Sequence, residues 1–199
     1  MEHLLANGKL RLLPAKDYDQ FDSNELRLFC HHKARYGLPT EELVTFLREL
    51  IGRDKAIEIG AGSGDLGYHL RIPMTDSYCQ DEPDVRAYYK AIRQPTIEYG
   101  QDVEKIEALA AVEKYKPDVV VGCWVTQWID PCLPPPSGGG SIYGIKEDEL
   151  IKKVKKYILV GSEAIHGGKF IMSYPHTKYF VPGVRSRRSD NRIWVWERS

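Results

Sequence analysis

Apolar positions along this chain switch between two periods, and the switches mark its elements. Leu43, Leu47, Leu50 and Ile51 fall at i, i+4, i+7 and i+8, the stripe of an amphipathic helix. Thr40 stands where an N-cap belongs, Glu41 and Glu42 meet the positive end of the dipole, and Gly52 closes the element. Residues 56–59 then form a short apolar run that reads as a buried strand. Residues 116–124 repeat that signal more strongly, with Pro117 as a stop and Val119, Val120 and Val121 behind it. A helix over 147–156 buries Leu150, Ile151 and Val154, and a further strand follows at 157–161. The last third has two alternating runs, 169–174 and 192–196, which together predict an antiparallel hairpin.

Other segments carry weaker patterns. Residues 10–13 read as a short strand or a strap. Asp22 and Glu25 form a capping pair for a helix that ends before Gly37. Residues 71–76 are expected as a strand and 85–92 as a helix. The next strand is ambiguous: residues 96–99 are β-rich, while Val103, Ile106, Leu109 and Val112 recur as a helix would. Alternating strand and helix signals define an α/β domain with a mostly parallel sheet and helices on both faces. Open sheets of this kind bind ligands at the carboxyl ends of their strands.

One stretch carries chemistry. Glu58-Ile59-Gly60-Ala61-Gly62-Ser63-Gly64 follows the strand at 56–59 and runs into a helix near Asp65. Glycines at alternate positions let the backbone bend tightly and approach a ligand closely. A helix start adds unpaired N–H groups and a positive dipole end. Glu58 would repel a pyrophosphate and suits a ligand that carries an ammonium or sulfonium group. A literal G-x-G-x-x-G also runs from Gly62 to Gly67, the pattern of a dinucleotide site, but it starts too far past the strand.

The Glu58-x-Gly60-x-Gly62-x-Gly64 motif, between strand and helix, resembles the first motif of class I S-adenosylmethionine-dependent methyltransferases. The resemblance implies a three-layer Rossmann-like fold that ends in an antiparallel hairpin, with S-adenosylmethionine as cofactor. It further implies that Glu58 meets the methionine end, that Gly60, Ala61, Gly62 and Gly64 approach the cofactor, and that Asp76 holds the ribose hydroxyls. An acid after the third strand would read adenine: Asp102 if that strand is 96–100, Glu107 if it continues to Ile106. Residues at the end of the fourth strand face the departing methyl group; here Trp124 and Trp128 offer stacking faces and Gln127 a hydrogen-bonding amide. Tyr36, with Arg35, is a candidate to close over the cofactor. The motif that amino-methylating enzymes of DNA bases carry after that strand is missing, which argues against that substrate. A non-catalytic S-adenosylmethionine- or nucleotide-binding regulator is the alternative reading, and the acceptor stays open between a small molecule and nucleic acid.

Composition narrows the field. At 199 residues, 42% hydrophobic and 28% charged, the chain is expected to be one soluble domain, with a helical extension over 1–52 and a core over 53–199. Acidic and basic residues balance at 28 each, so no net field draws it to nucleic acid or membrane. Cys30, Cys79, Cys123 and Cys132 have no C-x-x-C spacing, and His31 and His32 point to different helix faces, so neither a disulfide framework nor a metal is expected. The first residues lack a basic start and an apolar run, and no stretch approaches membrane-spanning length, so the expected compartment is the cytoplasm. Leu133 to Ser141 would make a lid beside the site, and the arginines between 185 and 192 would grip an anionic substrate. His166 and His176 are candidate bases, although methyl transfer from a sulfonium can proceed by alignment alone.

Overall fold

The computed structural model describes residues 1–133, 140–181 and 191–198. Strands β1 (Leu5–Ala6) and β2 (Lys9–Leu10) pair antiparallel around Asn7 and Gly8, both at positive φ, the geometry an Asn-Gly hairpin turn requires. Helices α1 (Ala15–Tyr18) and α2 (Ser23–His32) follow, the second capped by Asp22, which accepts the Asn24 and Glu25 N–H groups. Leu26, Phe29 and Cys30 of α2 pack on Leu4, Leu10 and Leu38, a small core of their own. Helix α3 (Glu41–Ile51) starts at Thr40, whose hydroxyl accepts the Leu43 N–H, and buries Leu43, Val44, Leu47 and Ile51.

Strand and helix then alternate: β3 (Ala56–Ile59), α4 (Asp65–Leu70), β4 (Met74–Asp76), α5 (Pro83–Ala91), β5 (Val103–Lys105), α6 (Ala108–Tyr115), β6 (Val119–Cys123), α7 (Glu147–Leu150), β7 (Lys156–Ser162), α8 (Glu163–His166), β8 (Thr177–Tyr179) and β9 (Asn191–Glu197). Among the described residues, seven strands form one sheet in the order β5-β4-β3-β6-β7-β9-β8. Pairing is parallel from β5 through β7, and β9 runs antiparallel to both neighbours. This is a Rossmann-like α/β sheet with an antiparallel pair at its end.

The period-2 signal in the strands sorts side chains onto two faces. Val119, Val121, Ile158, Val160, Ile193 and Val195 face α3 and α4. Val120, Tyr157, Leu159, Trp194 and Trp196 face α6 and α7. Strand order turns around between β3 and β6: β4 and β5 lie on one side, β7 on the other. That reversal opens a crevice above the carboxyl ends of β3 and β6.

Several expected boundaries move. The strand predicted at 71–76 is shortened to β4 because Arg71 takes a positive φ of 61° at the end of α4. The third strand is neither 96–100 nor a run from there to Ile106: it is β5, and the helical recurrence at Leu109 and Val112 belongs to α6. The helix predicted over 147–156 stops at Leu150, because Lys156 already pairs with Val119 in the sheet. The hairpin partner predicted at 169–174 is instead a 3-10 turn over Phe170–Ser173, and β8 takes its place beside β9. Lys169 breaks the alternation there by turning inward onto Glu147. Residues 134–139 of the predicted lid and 182–190 of the arginine-rich stretch lie outside the described residues.

Candidate functional site

The turn after β3 is held by its own backbone. Gly60, Gly62 and Gly64 have φ of 58°, 56° and 74°, a region that side chains disfavour. A Cβ on Gly60 would also come within 2.7 Å of Val125 Cγ1, so this position has no room for one. The Ala61 N–H donates to Thr75 O (3.0 Å), Gly64 N–H to Ala61 O (2.8 Å) and Gly62 N–H to an Asp76 carboxylate oxygen (2.9 Å). Glu58 Oε2 accepts the Gly67 N–H at 2.8 Å, which satisfies an otherwise orphaned donor in the first turn of α4. Four N–H groups of the loop and first helical turn, those of Ala61, Gly62, Gly64 and Gly67, are therefore engaged, and carboxylates stand beside them.

Glu58, Asp65 and Asp76 all line the cleft that opens above this turn. Burial is the largest influence on Glu58 and pushes its carboxyl from an ordinary 4.5 up to about 8, against the Gly67 N–H. Burial likewise raises Asp76, opposed by N–H groups of Tyr78, Gly62 and Ser77. Asp65 is tied by Arg35 at 2.7 Å, by the Leu10 N–H and by the Ser63 hydroxyl. Lys9 reaches Ser63 O at 2.6 Å. The N-terminal segment thus fastens onto the glycine turn through two cations.

The cleft has a volume of about 380 Å³, within the range of small-molecule sites. Its lining includes Asp76 at the end of β4 and, across β3, Lys169, which bonds Val125 O just after β6. A hydrogen-bonded wall joins elements far apart in sequence: Gln94 donates to the Tyr36 hydroxyl at 2.9 Å, Gln80 to the Tyr89 hydroxyl, and the Gln80 N–H to the Tyr99 hydroxyl. Trp124 follows β6 directly, and its φ of 57° places an aromatic residue in the left-handed region, at a cost of ~1–2 kcal/mol. Its N–H donates to Val160 O, and its ring meets His166 edge-on with centroids 5.1 Å apart.

The structure gathers Glu58, Gly60, Ala61, Gly62, Asp76, Trp124, Gln127 and Tyr36 into this one cleft. Five other candidates are placed elsewhere. Gly64 supports the start of α4 and does not line the cleft. Asp102 precedes β5 and pairs with Lys9 at 2.5 Å, so it stands at the wrong end of that strand to read a base there. Glu107 follows β5, but one of its oxygens accepts the Leu109 and Ala110 N–H groups as the cap of α6; it borders a small side groove next to Gly60. Trp128 is turned outward beneath Lys146, whose ammonium lies 5.1 Å from the ring centroid. Arg35, a candidate for closure, is instead buried against Asp65.

Sequence reasoning missed the far end of the cleft. Lys169 Nζ contacts Glu147 Oε2 at 2.6 Å and Val125 O at 3.1 Å, while Tyr157 donates to Glu147 Oε1 at 2.7 Å. Lysine and glutamate side chains are only 1% and 2% exposed. His166 also lines the cleft, and its Nδ1 accepts the Ser162 N–H at 3.0 Å. The same nitrogen lies 3.3 Å from Ser162 O, so both backbone groups of Ser162 hold this edge of the ring. His176 is exposed and stands outside the cleft. The missed signal was Lys169 itself, a charge inside an otherwise strand-like run.

No protein-family model matches the chain, and no curated protein matches it. Solved structures similar to it include a Thermoplasma acidophilum protein, 1320, at 12% identity over 77% of this chain and 83% of that one, with a TM-score of 0.37. Another is a point variant of MtNAS at 14% identity, which covers 92% of this chain and 68% of that one, with a TM-score of 0.43. Likeness at this level carries no argument about the site, and the fold class rests on the sheet order and register given above. No described helix is long and apolar enough to cross a membrane.

Proposed function

We propose that this protein binds S-adenosylmethionine at the β3–β4 end of the cleft and transfers its methyl group to an acceptor held at the β6 end. The observation that carries this reading is the state of the glycine turn: the N–H groups of Ala61, Gly62, Gly64 and Gly67 are engaged, and buried Glu58 and Asp76 stand beside it. Such a donor set disfavours the pyrophosphate of a dinucleotide and favours a ligand with a hydroxylated sugar at one end and a cationic group at the other. Gly60 admits close approach because nothing but hydrogen fits there.

Each residue then has a defined task. Asp76 Oδ2 accepts the Gly62 N–H and Oδ1 the Tyr78 N–H, and the carboxylate has capacity left for the hydroxyls of a sugar. Glu58 ionises to meet a cation, releasing a proton as it does. Trp124, fixed by its strained backbone and His166, gives the methyl-donor region a rigid apolar wall. S-adenosylmethionine, when bound, supplies an electrophilic methyl on a sulfonium, a group that reacts once an acceptor is aligned with it. Calorimetric titration tests the reading. Micromolar binding of S-adenosylmethionine and S-adenosylhomocysteine with no heat from NAD is expected; binding of NAD alone would overturn it.

A further inference from the structure

We infer that the β6 end of the cleft is a subsite for an aromatic oxyanion, a phenolate or aromatic carboxylate, held on Lys169; this rests on the methyl-transfer reading for its role as acceptor site. Charge along the cleft is segregated. The carboxylates that line it, Glu58, Asp65 and Asp76, all belong to the β3–β4 end, and Lys169 lies at the other. An ammonium has three protons. Val125 O accepts one, Glu147 Oε2 stands 2.6 Å away as the ion partner, and among the described residues no further acceptor is placed on the ammonium. The Tyr157 hydroxyl bonds the far oxygen of Glu147, so the carboxylate is shared between two donors and is not aimed wholly at the lysine.

The walls set the rest of the chemistry. Trp124, Val125, Ile145 and Ile165 form an apolar surround, and the Trp124 ring cannot swing away while it packs on His166. A flat apolar body with one oxygen on Lys169 satisfies both features, because a buried N–H without a partner is costly and a charge-assisted hydrogen bond is strong. An acceptor that binds already ionised suits the cation at Lys169 and needs no base in the transfer step. With a phenolate there, its oxygen forms the new O–C bond as the S–C bond breaks, the sulfur keeps the electron pair, and no proton moves in that step.

The probe for this is 4-nitrophenol, whose anion absorbs at longer wavelength than the neutral phenol, titrated with and without S-adenosylhomocysteine. Wild-type protein is expected to bind it as the anion, so that its ionisation shifts to lower pH. The double variant E147Q/K169M, which keeps an acceptor for Tyr157 and leaves no charge unpaired, is expected to bind it at least about tenfold more weakly, with no spectral shift and with S-adenosylhomocysteine affinity within about twofold. A comparison that needs no variant is competition by benzoate against isosteric benzamide, with benzoate at least about tenfold more potent. Binding of the neutral phenol, no binding to wild type, equal affinity in the double variant or equal potency of benzamide would each overturn the subsite. Lys169-dependent anion binding in a protein that ignores S-adenosylhomocysteine would leave the subsite standing and remove the methyl-transfer reading.

Discussion

Both ends of the cleft are fixed by a buried ion pair, yet the pairs do different work. At the glycine turn, Arg35 and Asp65 lash the N-terminal segment to the loop, with Ser63 and Leu10 supplying further hydrogen bonds. At the β6 end, Lys169 and Glu147 are the more deeply buried, and the lysine itself lines the cleft. The first pair is scaffolding with its donors shared widely. The second places a cation beside the cleft, where the proposed subsite lies. One member of each pair lines the cleft, Asp65 in the first and Lys169 in the second, so what separates them is the sign of that charge and how many other groups hold it.

The largest expected effect tests that asymmetry through stability. Lys169→Met strands a buried carboxylate and should cost ~3–5 kcal/mol, which corresponds to a melting temperature lower by roughly 6–20 °C. Arg35→Met should cost less, because Asp65 keeps the Leu10 N–H and the Ser63 hydroxyl, and thermal melts of the two variants would rank them. Equal losses would erase the distinction between the ends.

Next comes a pH effect confined to the glycine end. Glu58 keeps its proton up to about 8 when folded, against an ordinary 4.5. Between those values the unfolded chain has released a proton that the native state retains, so raising the pH draws the ligand-free protein toward unfolding. Stability from this group is thus present below the ordinary carboxyl range and lost as pH rises through about 8. Binding of a cation should reverse the trend: affinity for S-adenosylmethionine should rise by as much as ~10-fold per pH unit below that point, with a proton released on binding. Calorimetry in buffers of different ionisation enthalpy measures the proton, and Glu58→Gln should flatten both curves.

Smaller effects sharpen the map of the site. Asp76→Ala should weaken S-adenosylhomocysteine binding by ~10–100-fold, the size of lost hydrogen bonds to a charged group. Asp102→Asn should change stability by less than ~1 kcal/mol, since the aspartate of its pair with Lys9 is 44% exposed. It should leave cofactor affinity unchanged by titration, whereas an adenine reader would lose at least ~10-fold.

The sequence carried the scaffold and one end of the site. Val119, Val120 and Val121, the stripe on α3 and the caps at Asp22 and Thr40 are local signals that pairing did not override. The glycine turn was equally legible because β3, the loop and α4 are contiguous. What stayed hidden depends on contacts between distant residues. Nothing near Lys169 announces Glu147, Tyr157 or Val125 O, and that partnership is what turned an apparent strand into a 3-10 turn. Asp102 looked like a reader until Lys9 claimed it from across the chain. Trp124 and Trp128 are four residues apart and chemically alike, but only the positive φ at Trp124 brings its ring to the cleft.

The most direct test of the account is a crystal structure grown with S-adenosylhomocysteine. The account predicts the ribose hydroxyls within hydrogen-bonding distance of Asp76, the amino-acid end near Glu58 and the sulfur facing Trp124. Ligand bound outside this cleft, or lying with its adenosine at Lys169, would contradict it.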